Sequence, residues 1–243
     1  MKLGLIGGTG LDQWGRSDAT HEPETPFGPP SDAISEFRIG GHNLLFLPRH
    51  GRQHHLPPHE VNYRANLFAL HALGVDEVIA VNAVGGISRH CPPGALVLPD
   101  QLIDYTWGRP SSFGEQKGSG VLHIEFAQPF DSGLRARLAA DANDIGMAIQ
   151  DRACLGVTQG PRLETAAEIR RLANDGCDLV GMTSMPEAAL ARELELPYVS
   201  ICTVSNWAAG IGSEPITMAD IEATLTDAMG RVRRLLKNRL EHA

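Results

Sequence analysis

Apolar and polar positions along the chain follow two alternating rhythms. Short runs rich in Val, Ile and Leu alternate with longer segments whose apolar residues recur at helical spacing. Residues 2–6 predict a buried strand running into Gly7-Gly8-Thr9-Gly10. Residues 15–33 are polar and rich in Pro, Asp and Ser, and predict a loop. Residues 34–39 and 43–47 predict a hairpin about Gly40-Gly41, closed by Pro48 just before Arg49-His50-Gly51. A helix over 61–73 carries Ala65, Leu67, Phe68, Leu70 and Leu73, with Gly74 as its stop. Residues 77–83 form an apolar strand leading to Val84-Gly85-Gly86, and 95–98 and 102–105 are shorter strands. Residues 106–130 predict a long loop with a functional or interface role.

The alternation continues to the C-terminus. A helix over 132–145 precedes a strand over 152–157 that ends at Thr158-Gln159-Gly160-Pro161. A helix over 164–174 is followed by a strand over 178–182, then Thr183-Ser184. Pro186 stands where a first helical turn accepts proline, and that helix runs to Leu194. The strand over 198–204 ends on Ser205-Asn206, and Thr217-Met218-Ala219-Asp220 resembles a capping box opening a helix to Leu240. Alternating strands and helices predict an α/β fold, a mostly parallel sheet with helices on its faces. Without repeats or a low-complexity linker, residues 1–243 read as a single domain. Nearly every strand ends on polar or glycine-rich residues: Thr9, Arg49-His50, Asn82, Thr158, Thr183 and Ser205-Asn206. Open α/β sheets bind ligands beyond the carboxyl ends of their strands, so these residues are expected to converge.

Composition narrows the partners. Apolar residues make up 42 % and charged residues 21 %, as in a soluble globular protein. A formal charge of −8 disfavours general nucleic-acid binding, which rests on a Lys/Arg surface. The four cysteines are too far apart for a CxxC metal motif and read as free buried thiols in a reducing compartment. The N-terminus lacks the apolar length of a secretory signal, and no window suits a membrane span. A cytoplasmic protein with no membrane partner is expected.

Two motifs carry chemistry. The string GLIGGTG admits a dinucleotide site, but the region that should supply the confirming acid is the proline-rich loop. A glycine-rich turn whose amides hold an anion, with Thr9 adding a hydroxyl, fits equally well, and a tight turn alone remains open. Arg49-His50-Gly51-Arg52 offers a guanidinium fork matched to phosphate oxygens. His50, His54, His55 and His59 lack a metal-binding spacing, and Pro57-Pro58 breaks any helix there, so no metal is expected.

The strings GLIGGTGL, TPFGPPSDA, PRHGRQH, VNYRANLFAL, HIEFAQPF, TQGPRLET and VGMTSMPEAALARE resemble the purine nucleoside phosphorylase and methylthioadenosine phosphorylase family, almost end to end. The resemblance implies a twisted, mixed, partly barrel-like sheet flanked by helices. It also implies a homotrimer and phosphorolysis of a nucleoside, with phosphate as co-substrate and no cofactor. It places Thr9, Arg49, His50, the Asn82-Ala83 backbone and Thr183 around phosphate, and Met182 under the ribose. Asn82 departs from the threonine usual in methylthioadenosine enzymes, which removes its hydroxyl contact but leaves its amide.

The base is expected to lie against Asn206, Trp207 and Ala208, with Leu163 and Glu164 from the GPxxET-like string. Where 6-aminopurine enzymes resemble one another in carrying aspartates, this chain has Asn206 and Ala208. Asparagine can donate to O6 or N7, and Glu164 can accept from N1–H, so a 6-oxopurine is expected. The alternative for Glu164 is a solvated first-turn acid. Met218 stands where mammalian-type enzymes place a histidine for the 5′-hydroxyl. With Ile221 it suggests an apolar pocket for a 5′-methylthio group, which His123 reaches from a neighbouring subunit. The expected reaction is therefore phosphorolysis of S-methyl-5′-thioinosine, with Asn206 stabilising the leaving base and His50 available as a proton donor. The alternatives are a methylthioadenosine or inosine/guanosine phosphorylase, a nucleosidase, a dinucleotide-dependent oxidoreductase, and a non-catalytic nucleotide-binding protein.

Overall fold

The structure, a computed structural model, describes residues 1–8, 11, 14–115, 121–212 and 218–242, with backbone alone at 115 and 218–223. Among these residues ten strands form one mixed sheet: β1 (Lys2–Gly7), β2 (Ala19–His21), β3 (Ile34–Ile39), β4 (His42–Pro48), β5 (Glu77–Gly86), β6 (Leu96–Val97), β7 (Gln101–Asp104), β8 (Cys154–Val157), β9 (Leu179–Gly181) and β10 (Tyr198–Trp207). The helices are α1 (Tyr63–Ala72), α2 (Ser132–Asp144), α3 (Ala166–Asn174), α4 (Ser184–Glu193) and α5 (Met218–His242). The order is β2-β3-β4-β1-β5-β9-β8-β7, with β10 on β5 and carrying β6. Pairings of β1 with β4 and β5, of β10 with β5, and of β8 with β7 and β9 are parallel. Those of β3 with β2 and β4, of β5 with β9 and of β10 with β6 are antiparallel. The sheet is thus mixed, as the family resemblance implied, rather than mostly parallel.

The central strands are buried on both faces, which explains their continuous apolar runs. Leu44 and Phe46 of β4 pack with α2 and α5, while Leu45 and Leu47 pack with α1 and α4. In β5, Ile79 and Val81 face the first pair of helices, and Val78 and Ala80 face the second. This period of two fixes register, because a one-residue slip would send each set to the wrong layer. The β3–β4 hairpin turns on Gly40 and Gly41, whose φ values of +58° and +85° suit a tight two-residue connection.

Several boundaries moved for identifiable reasons. The polar segment 15–33 contains the three-residue strand β2, too short to leave a periodic signal. Strands β5 and β10 run on to Gly86 and Trp207 because those ends pair with each other. Helix α3 starts at Ala166: Thr165 caps it and Glu168 closes a reciprocal capping box. Glu168, not Glu164, is therefore the first-turn acid. Loop 106–130 contains a short 3₁₀ turn, Phe113–Glu115. The capping box expected at 217–220 begins outside the described residues.

Two features of β5 shape the site. Its pairing with β1 ends at Ala80, and β9 joins it only from Gly85. Among the described residues, positions 81–84 therefore have no strand neighbour on that side, and the sheet forks there. On the other side β10 continues alongside with a bulge between Val204 and Asn206, so that Asn206 pairs with Gly85. The extra residue re-aims the end of the strand, a frequent device beside active sites.

At its start, β5 is tied to the helical layer by charge. Buried Glu77 accepts from Arg239 of α5 at 2.7 and 2.8 Å and from Arg137 of α2 at 3.1 Å; Arg239 also reaches Asp141 at 3.1 Å. Removing Glu77 leaves buried Arg239 with Asp141 alone and its Nε and Nη2 donors to Glu77 unpaired. Glu77→Ala is expected to lower unfolding free energy by about 3–5 kcal/mol in urea titration. A loss below about 1 kcal/mol, the range of an exposed pair, would show that the network is not held apart from solvent.

Candidate active site

A cavity of about 580 Å³ opens where the sheet forks. Gly8 after β1, Arg49 and His50 after β4, residues 82–85 of β5, Met182 and Thr183 after β9, and Ser205 and Asn206 of β10 all line it. The polar strand ends picked out in the sequence thus meet in one place, apart from Thr9, which lies outside the described residues.

Arg49 forms the floor. Its Nε donates to Glu187 Oε1 at 2.5 Å, one Nη2 hydrogen goes to Oε2 at 3.1 Å, and Nη1 donates to Val81 O at 3.1 Å. Burial works against the charge, but the adjacent Glu187 carboxylate outweighs it and holds Arg49 above its ordinary value. A guanidinium has five N–H groups, so two remain for a ligand. Glu187 is anchored in turn by the Tyr198 hydroxyl at 2.9 Å.

Beside it, His50 Nδ1 lies 2.8 Å from Leu56 O. A carbonyl only accepts, so Nδ1 carries the proton and neutral His50 keeps a lone pair on Nε2. Burial pushes its pKa down from 6.5 to about 4, and the positive charge of Arg49 adds to this. The Asn82 side chain turns inward: its amide nitrogen donates to Ser184 Oγ (3.1 Å) and Ser200 Oγ (2.6 Å), and its oxygen accepts from Thr183 Oγ1 (2.8 Å). Asn82 thus orients Thr183 rather than offering its own amide group to the cavity.

At the base end, Asn206 Nδ2 donates to Trp207 O at 2.8 Å and its Oδ1 accepts from Ser205 Oγ at 2.6 Å. The Trp207 carbonyl fixes which end of the amide is nitrogen, and among the described residues one N–H and one lone pair have no partner. Glu164 Oε1 accepts from Thr158 Oγ1 at 2.5 Å, leaving Oε2 uncommitted. Leu163, Glu164 and Ala208 line the cavity. Trp207 does not: its ring packs beside Gly86, where an added Cβ would stand 3.3 Å from Cε3.

Part of the lining is apolar. Leu225 and Met229 of α5, with buried Leu11, supply it. Met218 and Ile221 lie on the same helix one to three turns earlier, and their side chains are outside the described part of the structure. His123 is exposed and does not line the cavity of its own chain.

The sequence reading missed Glu187, Arg109, Leu225 and Met229. Glu187 stands in the first turn of α4, where an acid is common for helical reasons alone. Arg109 sits in a loop without periodicity, yet it is buried and bonded to backbone carbonyls at the cavity wall. Leu225 and Met229 continue the helical spacing from Met218, a signal that could have found them.

The position of His50 can be checked directly. In phosphate-free protein, ¹⁵N resonances should show a neutral, Nδ1-protonated ring down to about pH 4. Because the folded value is depressed, unfolded chain binds the extra proton between about 6.5 and 4, and stability falls as pH falls through that window. A titration near 6.5 would contradict the burial.

Comparison with known proteins agrees with this geometry. Residues 2–241 match the model of the phosphorylase superfamily. A protein of Xanthomonas campestris pv. campestris named probable S-methyl-5′-thioinosine phosphorylase is 49 % identical over 239 residues, covering 97 % of this chain and 96 % of that one. A protein of the same name from Xylella fastidiosa is 51 % identical over 239 residues, with the same coverage. The structure of methylthioadenosine phosphorylase from Schistosoma mansoni in complex with adenine superposes with a TM-score of 0.93 at 33 % identity, covering 99 % of this chain and 91 % of that one. The convergent strand ends, the fold and the near full-length match together make this chain a member of the phosphorylase superfamily.

Proposed function

We propose that this enzyme cleaves S-methyl-5′-thioinosine with inorganic phosphate, giving hypoxanthine and 5-methylthioribose 1-phosphate. The observation that carries the reading is the pairing, in one cavity, of a 6-oxopurine reader with an apolar stretch of lining. Asn206 has an N–H free for N7 or O6, Glu164 has an oxygen free for N1–H, and Leu225 and Met229 stand where a methylthio group would pack. The relatives named for S-methyl-5′-thioinosine support it.

Phosphate would lie over Arg49, whose remaining N–H groups are its side-chain donors, with His50 and Thr183 beside it and the Thr9 hydroxyl expected to donate as well. An oxygen of phosphate bonds to C1′ as the C1′–N9 bond breaks and its electron pair passes to the purine. The proton carried by phosphate ends on the purine; neutral His50, whose Nδ1–H serves Leu56 O, offers it a lone pair at Nε2 rather than a second proton. Asn206 stabilises charge building on N7 and O6, an electrostatic effect strongest where water is excluded. Met182 supports the ribose. The reaction needs no metal or organic cofactor. A homotrimer in the cytoplasm, with His123 reaching a neighbouring site, completes the proposal; no described helix is long and apolar enough to cross a membrane.

A second reading, methylthioadenosine as substrate, is favoured by the Schistosoma neighbour. It differs in the base: adenine N1 bears no hydrogen, so Glu164 would face it unpaired, a mismatch able to support discrimination of about 10⁴–10⁵. Steady-state assays with and without phosphate on methylthioinosine, methylthioadenosine and inosine decide it. Methylthioinosine should give the highest kcat/KM, only with phosphate, and Asn206→Asp combined with Ala208→Asp should shift preference toward the 6-amino base. Methylthioadenosine ahead by about tenfold, or selectivity untouched by the double variant, would show that the base is read elsewhere.

A further inference from the structure

The two ends of the cavity hang on different strands, and one side chain behind them touches the supports of both. The Arg109 guanidinium donates to Met182 O at 2.8 Å, Met185 O at 2.6 Å and Gln159 O at 2.8 Å, with longer contacts of 3.3 Å to Thr158 O and the Tyr63 hydroxyl. Thr158 and Gln159 come after β8, and Met182 after β9, its parallel neighbour. The Thr158 hydroxyl donates to Glu164. Met182 Sδ presses on Gly160, where an added Cβ would stand 2.6 Å away and where φ is +63°. The base-reading carboxylate and the ribose-supporting methionine therefore share one brace.

The brace is costly for stability alone. Arg109 is 8 % exposed, makes no ion pair among the described residues, and buries an Nε that has no hydrogen-bond partner among them. A buried cation with no carboxylate in contact, Asp104 and Glu187 acting on it only from a distance, is a local rule broken, and such breaks gather at functional sites. The planar fork matters as well as the charge: its two separate Nη atoms reach oxygens that follow two strands, whereas an ammonium places all its donors on one nitrogen.

We propose that Arg109 is a positioning residue that sets the spacing of the purine and ribose subsites by tying Thr158 and Gln159 to Met182. The proposal rests on the nucleoside reading of the cavity. The link of Arg109 to the phosphate floor is indirect: Met182 and Met185 flank Thr183, while the Arg49–Glu187 pair is bonded without it.

The test uses the full chain with Arg109→Lys and Arg109→Ala. Hypoxanthine and inorganic phosphate are titrated separately by calorimetry, and nucleoside KM and kcat are measured beside them. Hypoxanthine affinity and nucleoside KM should worsen by about tenfold or more in both variants, while phosphate affinity stays within about threefold. Added guanidinium at low, non-denaturing concentration should restore Arg109→Ala, and equal sodium chloride should not. Folded variants with unchanged hypoxanthine affinity and nucleoside KM would overturn the proposal. So would purine and phosphate affinities that fall together, in step with lost folded protein. Should Arg109→Ala not fold, Arg109→Lys, which keeps the charge, carries the comparison. If the unmodified protein binds hypoxanthine but turns over no nucleoside, the functional reading fails while the hypoxanthine comparison still judges Arg109.

Discussion

Arg49 and Glu187 carry opposite charges at 2 % and 0 % side-chain exposure, and much of the site is arranged around keeping them together. Two ions removed from water gain little net stability from each other, because desolvation offsets their attraction. The pair's main contribution is position. Glu187 belongs to α4 and is held by Tyr198 at the start of β10; Arg49 comes directly after β4 and donates to Val81 in β5. One ion pair thus ties together four elements whose ends border the cavity. It also keeps a cation, with two N–H groups uncommitted, at the point where an anionic co-substrate would sit.

The fork in the sheet gives that cation somewhere to act. Because β1 leaves β5 after Ala80 and β9 arrives only at Gly85, the sheet opens beside residues 81–84. The bulge in β10 then sets Asn206 opposite Gly85. The proposed phosphate floor, sugar support and base reader come from three different strand ends, so the geometry depends on how the strands are spaced. Arg109 acts on that spacing from outside the cavity.

Much of this was legible in the sequence, for physical reasons. Two-sided burial writes central strands as apolar runs, and polar residues just beyond such runs must face either solvent or a ligand. Arg49, His50, Thr183 and Asn206 were identified in this way, and Met182 through the family resemblance; all five line one cavity. The features that stayed hidden depend on neighbours rather than on local pattern. Asn82 lies at the expected place, and its side-chain amide, on which the backbone expectation was silent, serves Thr183, Ser184 and Ser200, a choice made by residues far along the chain. Glu187 and Arg109 are single charges whose burial only the folded chain decides. The bulge between Val204 and Asn206 leaves no periodic trace in so short a segment. By contrast, the capping box from Thr165 to Glu168 was written in the sequence, and reading it would have freed Glu164 from the helix at once.

The central claim is that a guanidinium fork, held by Glu187, is the phosphate anchor. Titrating inorganic phosphate into Arg49→Lys and into the unmodified protein tests it most directly. Lysine keeps the charge, but its point-like ammonium cannot bind both Glu187 oxygens, Val81 O and phosphate together. The account predicts phosphate affinity weakened by about tenfold or more, with hypoxanthine binding preserved. Phosphate affinity within about twofold of the unmodified protein, in a folded variant, would contradict it.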